Sequence, residues 1–89
     1  MREQESIIEF PCQFPIKAMG KNVSGFDSLV VGIIQEYVDV TILDEAIKTR
    51  ISKGDKYLSI TVMIEANSRE QLDAIYQRLT DCPEVLMAL

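Results

Sequence analysis

Few of the 89 residues have side chains suited to bond-making chemistry. There is no His, which removes the usual near-neutral acid/base and the commonest metal ligand. Cys12 and Cys82 lie far apart, and neither sits in a Cys-x-x-Cys pair. Zinc, iron–sulfur and thioredoxin-like chemistry therefore has no support. Two lone thiols without a secretory context read as reduced packing residues of a cytoplasmic protein. The acidic pairs Asp44/Glu45 and Glu70/Asp73 would need a cleft and a raised pKa to work as acid and base, and their surroundings read as loop and helix surface. No catalytic residue, metal or cofactor is expected.

The cations are more informative. Between residues 46 and 57, Lys48, Arg50, Lys53 and Lys56 stand against Asp55 alone, a local +3. The remaining 5 basic and 13 acidic residues leave −8, so the formal net charge of −5 hides a dipolar chain. Charge gathered in this way can hold a carboxylate, a phosphate or an acidic protein patch. Exposed strands also carry Lys and Arg simply for solubility and to discourage edge pairing. A second cluster, Met19-Gly20-Lys21-Asn22, precedes a helical pattern whose N-terminus could attract an anion. It lacks the Gly-x-x-x-x-Gly-Lys-Ser/Thr spacing of a phosphate loop, and reads equally as a plain strand-to-helix turn.

These residues need elements to position them. Phe14, Ile16 and Ala18 alternate with Lys17 and Met19, the period of a half-buried strand. Pro11 and Pro15 lack a ladder N–H, so the early part of that strand is expected to be irregular or at an edge. From residue 24 to 38 the period changes. Phe26, Leu29, Val30, Ile33, Ile34 and Tyr37 form one helical stripe, with Ser24 as N-cap and Asp27 favourable near the positive helix end. Gly32 weakens this helix by up to about 1 kcal/mol relative to Ala, and close packing on the sheet would explain it.

Residues 45–52 alternate again, with Ile47, Thr49 and Ile51 on one face and Ala46, Lys48 and Arg50 on the other. Lys53-Gly54-Asp55-Lys56 is a turn, with Gly54 at positive φ. The following strand turns Leu58, Ile60, Val62 and Ile64 inward and Tyr57, Ser59, Thr61, Met63 and Glu65 outward, completing a β-hairpin. Ser68 and Gln71 fit a capping box for a second helix carrying Leu72, Ile75, Tyr76 and Leu79. Pro83 ends it, and residues 85–89 form a last strand.

The order strand, helix, strand, strand, helix, strand places two helices on one face of a four-stranded antiparallel sheet. This is an α+β, ferredoxin-like βαββαβ sandwich with strands 1 and 3 in the centre and one sheet face uncovered. It is expected over residues 9–89 as one domain, after a polar tail over 1–8. The chain is 47% hydrophobic, enough for one modest core. The net charge argues against a duplex-DNA partner. The longest apolar stretch, Leu29 to Ile34, is far too short to span a bilayer, so no membrane role is expected. An RNA-binding sheet would need stacked aromatics on strands 1 and 3, and only Tyr57 is offered. The missing Cys-x-x-Cys argues against a copper carrier, and Lys21 with Asn22 is too little for an acylphosphatase-like cradle.

The opening Glu9-Phe10-Pro11 with Phe14, Lys17, Met19 and Gly20 resembles the start of the YbeD-like proteins, short bacterial proteins. Ser52-Lys53-Gly54, Tyr57, Ser59-Ile60-Thr61 and the closing Val85-Leu86-Met87-Ala88-Leu89 are similar to that family too. Residues 38–45 carry no obvious motif of it. The resemblance implies a fold like that of ACT regulatory domains, which bind small effectors, commonly at dimer interfaces. In such domains a glycine in the first strand-to-helix loop lets a ligand approach the backbone, and Gly20 matches by position.

Together these readings give a non-enzymatic, ACT-like regulatory or protein-interaction module that self-associates through its open sheet face. The competing reading is a sensor of an amino acid or anionic metabolite. Lys17, Met19, Gly20, Lys21, Lys48, Arg50 and Tyr57 are the candidate contacts for a ligand, an acidic protein partner or a second copy.

Overall fold

A computed structural model describes residues 9–89, so the expected tail over residues 1–8 lies outside the described residues. The elements are β1 (Cys12–Lys21), α1 (Phe26–Gln35), a 3-10 turn (Asp44–Ala46), β2 (Ile47–Ile51), β3 (Tyr57–Ala66), α2 (Arg69–Asp81) and β4 (Val85–Ala88). The four strands form one antiparallel sheet in the order β2-β3-β1-β4. α1 packs over β1 and β3, α2 over β3 and β4, and the two helices touch each other. This is the ferredoxin-like arrangement, with β1 and β3 central.

Alternation on β3 decides which face is buried. Leu58, Ile60, Val62, Ile64 and Ala66 are buried, while Tyr57, Met63 and Glu65 are exposed. Ile16 and Ala18 of β1 join the inner set, and α1 and α2 close over it with Val30, Ile34, Ile75 and Leu79. Each fully buried aliphatic side chain contributes roughly 1.5–3 kcal/mol through burial. β2 lies beyond the helices. Ile47 on its helix-side face is half-buried, but Thr49 and Ile51 are exposed.

β1 runs straight through Pro15, which pairs with Met63. Lys17 N–H donates to the Leu89 carbonyl at 3.1 Å, and Leu89 N–H donates to Lys17 O at 2.7 Å. Backbone groups two residues earlier point the same way. The Pro15 nitrogen therefore faces the flank beyond the end of β4, where no ladder bond is missed.

The two helices begin differently. Ser68 Oγ accepts from Gln71 N–H at 3.0 Å, and the Gln71 side chain accepts from Asn67 N–H at 2.7 Å. That is the expected capping box, with the return bond one residue early. At α1 the expected Ser24 cap is replaced by Gly25. Its φ of 89° is the left-handed conformation that glycine adopts without a Cβ penalty. The Asp27 carboxylate takes a first-turn N–H instead, that of Ser28, at 2.8 Å. The helix ends at Gln35, two residues before the last stripe residue, Tyr37. Gly32 does not pack on the sheet. It is exposed, and a Cβ there would touch nothing within 4 Å.

The hairpin turn needs two left-handed residues, Gly54 (φ 83°) and Asp55 (φ 62°), where the sequence pointed to one. Its tip is bound to the β1–α1 loop. Asn22 N–H donates to Lys56 O at 2.9 Å and Asn22 Nδ2 donates to Asp55 O at 3.1 Å. At the other side of the molecule, Tyr76 Oη donates to the Leu89 carbonyl at 2.6 Å. Burial raises the pKa of that hydroxyl above 10.0.

Candidate functional site on the open sheet face

Strand register assembles the face without the help of any loop. Lys17 and Lys48 both pair with Thr61, from opposite sides. The next row holds Arg50, Ser59, Met19 and Met87. Tyr57 pairs with Lys21 at the hairpin end, and Met63 with Pro15 on the other side of the lysine row. Strand spacing places the Lys17 and Lys48 backbones roughly 10 Å apart, with Thr61 between them. Two long cationic side chains at that separation can converge on one anionic group above Thr61. None of Lys17, Lys21, Lys48 and Arg50 makes an ion pair with another described residue. Glu65 is the one acid placed on this face by β1 or β3.

Six of the seven candidate residues share the face: Lys17, Met19, Lys21, Lys48, Arg50 and Tyr57. Gly20 does not. It points into the core, where a Cβ would overlap the Phe26 ring and come within 2.6 Å of the Glu84 carbonyl oxygen. The space above Gly20 is thus filled by the protein's own side chain, and the missing Cβ serves packing. Lys21 is the last residue of β1 rather than part of a free turn.

The middle of the face is shallow. The hollow there, bounded by Lys17, Met19, Ser59, Met87 and Leu89, holds about 60 Å³. Small-molecule pockets usually hold roughly 300–1,000 Å³. The face is therefore shaped for a surface rather than for an engulfed ligand. Half-buried Met19 and exposed Met63 and Met87 supply flexible, polarizable contacts between the cations. Sequence reasoning missed Met87. The bulge between Met19 and Gly20 sets its register, and no periodic pattern announces a bulge.

Cys82 is buried, and its thiol donates to a Glu84 carboxylate oxygen at 3.2 Å, while Cys12 is half-buried. Asp44, Glu45, Glu70 and Asp73 are all exposed. Among the described residues no cluster of His, Cys, Asp and Glu could hold a metal ion. No helix of the described residues is long and apolar enough to cross a membrane.

Fold and face define a small α+β sheet protein with a cationic, methionine-lined open surface. Comparison with known proteins gives its family. Residues 5–89 match the family described as "Protein of unknown function (DUF493)". A UPF0250 protein of Nitrosomonas europaea is 46% identical over 86 residues, covering 97% of this chain and 98% of the relative. A UPF0250 protein of Paraburkholderia phytofirmans is 44% identical over 85 residues, covering 96% and 94%. One of Bordetella pertussis is 38% identical over 86 residues, covering 97% and 93%. The chain belongs to the DUF493 (UPF0250) family of bacterial proteins, the YbeD-like group that its motifs resembled.

Proposed function

We propose that this protein is a non-enzymatic, ACT-like regulatory module of the bacterial cytoplasm whose open sheet face receives an acidic patch of a partner protein. The observation that carries the reading is the set of cations Lys17, Lys48 and Arg50, without an ion pair among the described residues and held at fixed register around Thr61 and Ser59. Exposed cations of this kind act on association rate, orientation and choice of partner more than on raw affinity. The methionines add apolar contact that can adapt to the partner's shape.

Two other occupants have less support. Self-association through the same face would set four cations against four. An anionic metabolite at the lysine row would find attraction but little enclosure, because the hollow there is about 60 Å³.

The reading is tested by titrating the protein with poly-L-glutamate at low salt while following backbone amide NMR shifts. Shifts confined to Lys17, Met19, Lys48, Arg50 and their sheet neighbours are expected, weakening steeply with salt. Shifts elsewhere, or none, contradict it. A thermal-shift screen of amino acids and anionic metabolites tests the sensor alternative, since a saturable rise in Tm would favour it.

A further inference from the structure

The two ends of the sheet carry opposite charge on similar apolar ground. At one end the segment over residues 38–46 stands beside the close of β3 and leaves a groove of about 430 Å³. Val40, Leu43 and Met63 line it, each substantially exposed, and Asp39, Glu45 and Glu65 are the carboxylates along it. The groove wall is held in place by one side chain. Gln35 Nε2 donates to Val40 O at 2.8 Å, and Gln35 Oε1 accepts from Ile42 N–H at 2.8 Å. A wall fixed in this way has little ordering entropy left to lose when something binds.

The opposite end is basic. Lys53 and Lys56 flank the hairpin turn, and Lys21 joins them because the Asn22 bonds hold its loop to the hairpin tip. Val23, Ile51 and Tyr57 are exposed among these cations. Each end thus presents three apolar side chains, with net charge of opposite sign at the two ends, Asp55 being the one acid in the basic turn.

We propose that the basic end of one copy docks in the acidic groove of another copy. Charge complementarity selects the second copy, and the apolar residues at both ends lose water together. The contact is not an extension of the sheet. Pairing two β2 edges antiparallel would bring Lys48 and Arg50 of both copies side by side, and like charges across strands are destabilising. An antiparallel pair of molecules that makes the end contact twice is closed, whereas a single contact leaves free ends and grows with concentration. Lys17, Met19, Lys48 and Arg50 take no part in the end contact, while Lys21, Tyr57, Met63 and Glu65, at the two ends of the open face, do.

Sedimentation equilibrium with two charge-reversed variants tests it. Glu45→Lys with Glu65→Lys makes the groove basic, and Lys53→Glu with Lys56→Glu makes the hairpin end acidic. All four positions are exposed, and circular dichroism melts check that both variants fold. The wild type should self-associate, less so at high salt. Each variant alone should associate at least about tenfold more weakly. An equimolar mixture should regain association, because each variant then offers the other an end of opposite sign. A wild type that stays monomeric at millimolar concentration, variants that associate like the wild type, or a mixture that stays monomeric would each overturn the proposal. Lys48→Glu with Arg50→Glu separates it from face-mediated assembly, and loss of association there with the end variants unaffected moves the contact to the sheet face.

Discussion

The two faces of the sheet are written by the same residues in alternation, yet they obey different constraints. On β3, Leu58, Ile60, Val62 and Ile64 meet the helices and are buried, while Tyr57, Ser59, Thr61 and Met63 stand one position away on the open side. The inner set is aliphatic and close-packed, so a change of one methylene is felt there. With its neighbours on β1 and β2 the outer set mixes hydroxyls, methionines and cations, with no ion pairs among these described residues, so it should tolerate change without loss of fold. Stability belongs to one face, and recognition is proposed for the other.

The sharpest way to break this division is at its core. Ile60→Ala should cost about 2–5 kcal/mol in denaturant unfolding, because it leaves a cavity beneath both helices. An effect under about 1 kcal/mol would mean the inner face is not the seat of stability. Gly20→Ala comes next. The new methyl would press on the Phe26 ring and the Glu84 carbonyl, at a cost of about 1–3 kcal/mol. If instead the variant folds normally and loses partner binding, Gly20 belongs to a ligand site after all.

Tyr76→Phe removes the bond to the Leu89 carbonyl and should cost about 1 kcal/mol at neutral pH. It should also change the alkaline behaviour. The folded pKa of Tyr76 is raised, so above about 10 the unfolded chain gives up that proton while the native one keeps it. The stability involved is fully present below pH 10 and declines as pH rises toward the folded value. The variant should therefore show a flatter alkaline limb in pH-dependent unfolding, and an unchanged limb would contradict the assignment.

Gly32→Ala has the opposite sign. The site is mid-helix, exposed and open, so the variant should gain up to about 1 kcal/mol in thermal unfolding. A destabilised variant would contradict an open site at Gly32.

Much of this division was legible in the sequence. Period-two alternation gave the hairpin and both of its faces, and Ser68 with Gln71 marked the start of α2. Local signals of this kind survive folding because each is satisfied by neighbours in the chain. The misplaced features depend on backbone turns and single side-chain contacts that no periodic pattern encodes. Ser24 has the right chemistry for a cap, but the chain must turn through a positive φ to enter α1, and Gly25 does that. Gly20 looked like room for a ligand until Phe26 filled the space. The groove was invisible because the Gln35 side chain shapes residues 38–46, and no periodic pattern reports a clamp of one side chain on a loop backbone. Its signal in the sequence was modest, the acids Asp39, Asp44 and Glu45 interleaved with Val40, Ile42 and Leu43.

The smallest expected change in stability is also the most direct test. Lys48→Glu with Arg50→Glu reverses two exposed charges on β2. Urea unfolding should move by no more than about 0.5 kcal/mol, as for other exposed substitutions. In the same variant, the poly-L-glutamate shifts at Lys17 and Met19 should vanish. Unchanged stability with binding lost is the expected result. Binding retained at wild-type strength would remove the open face as the site of recognition.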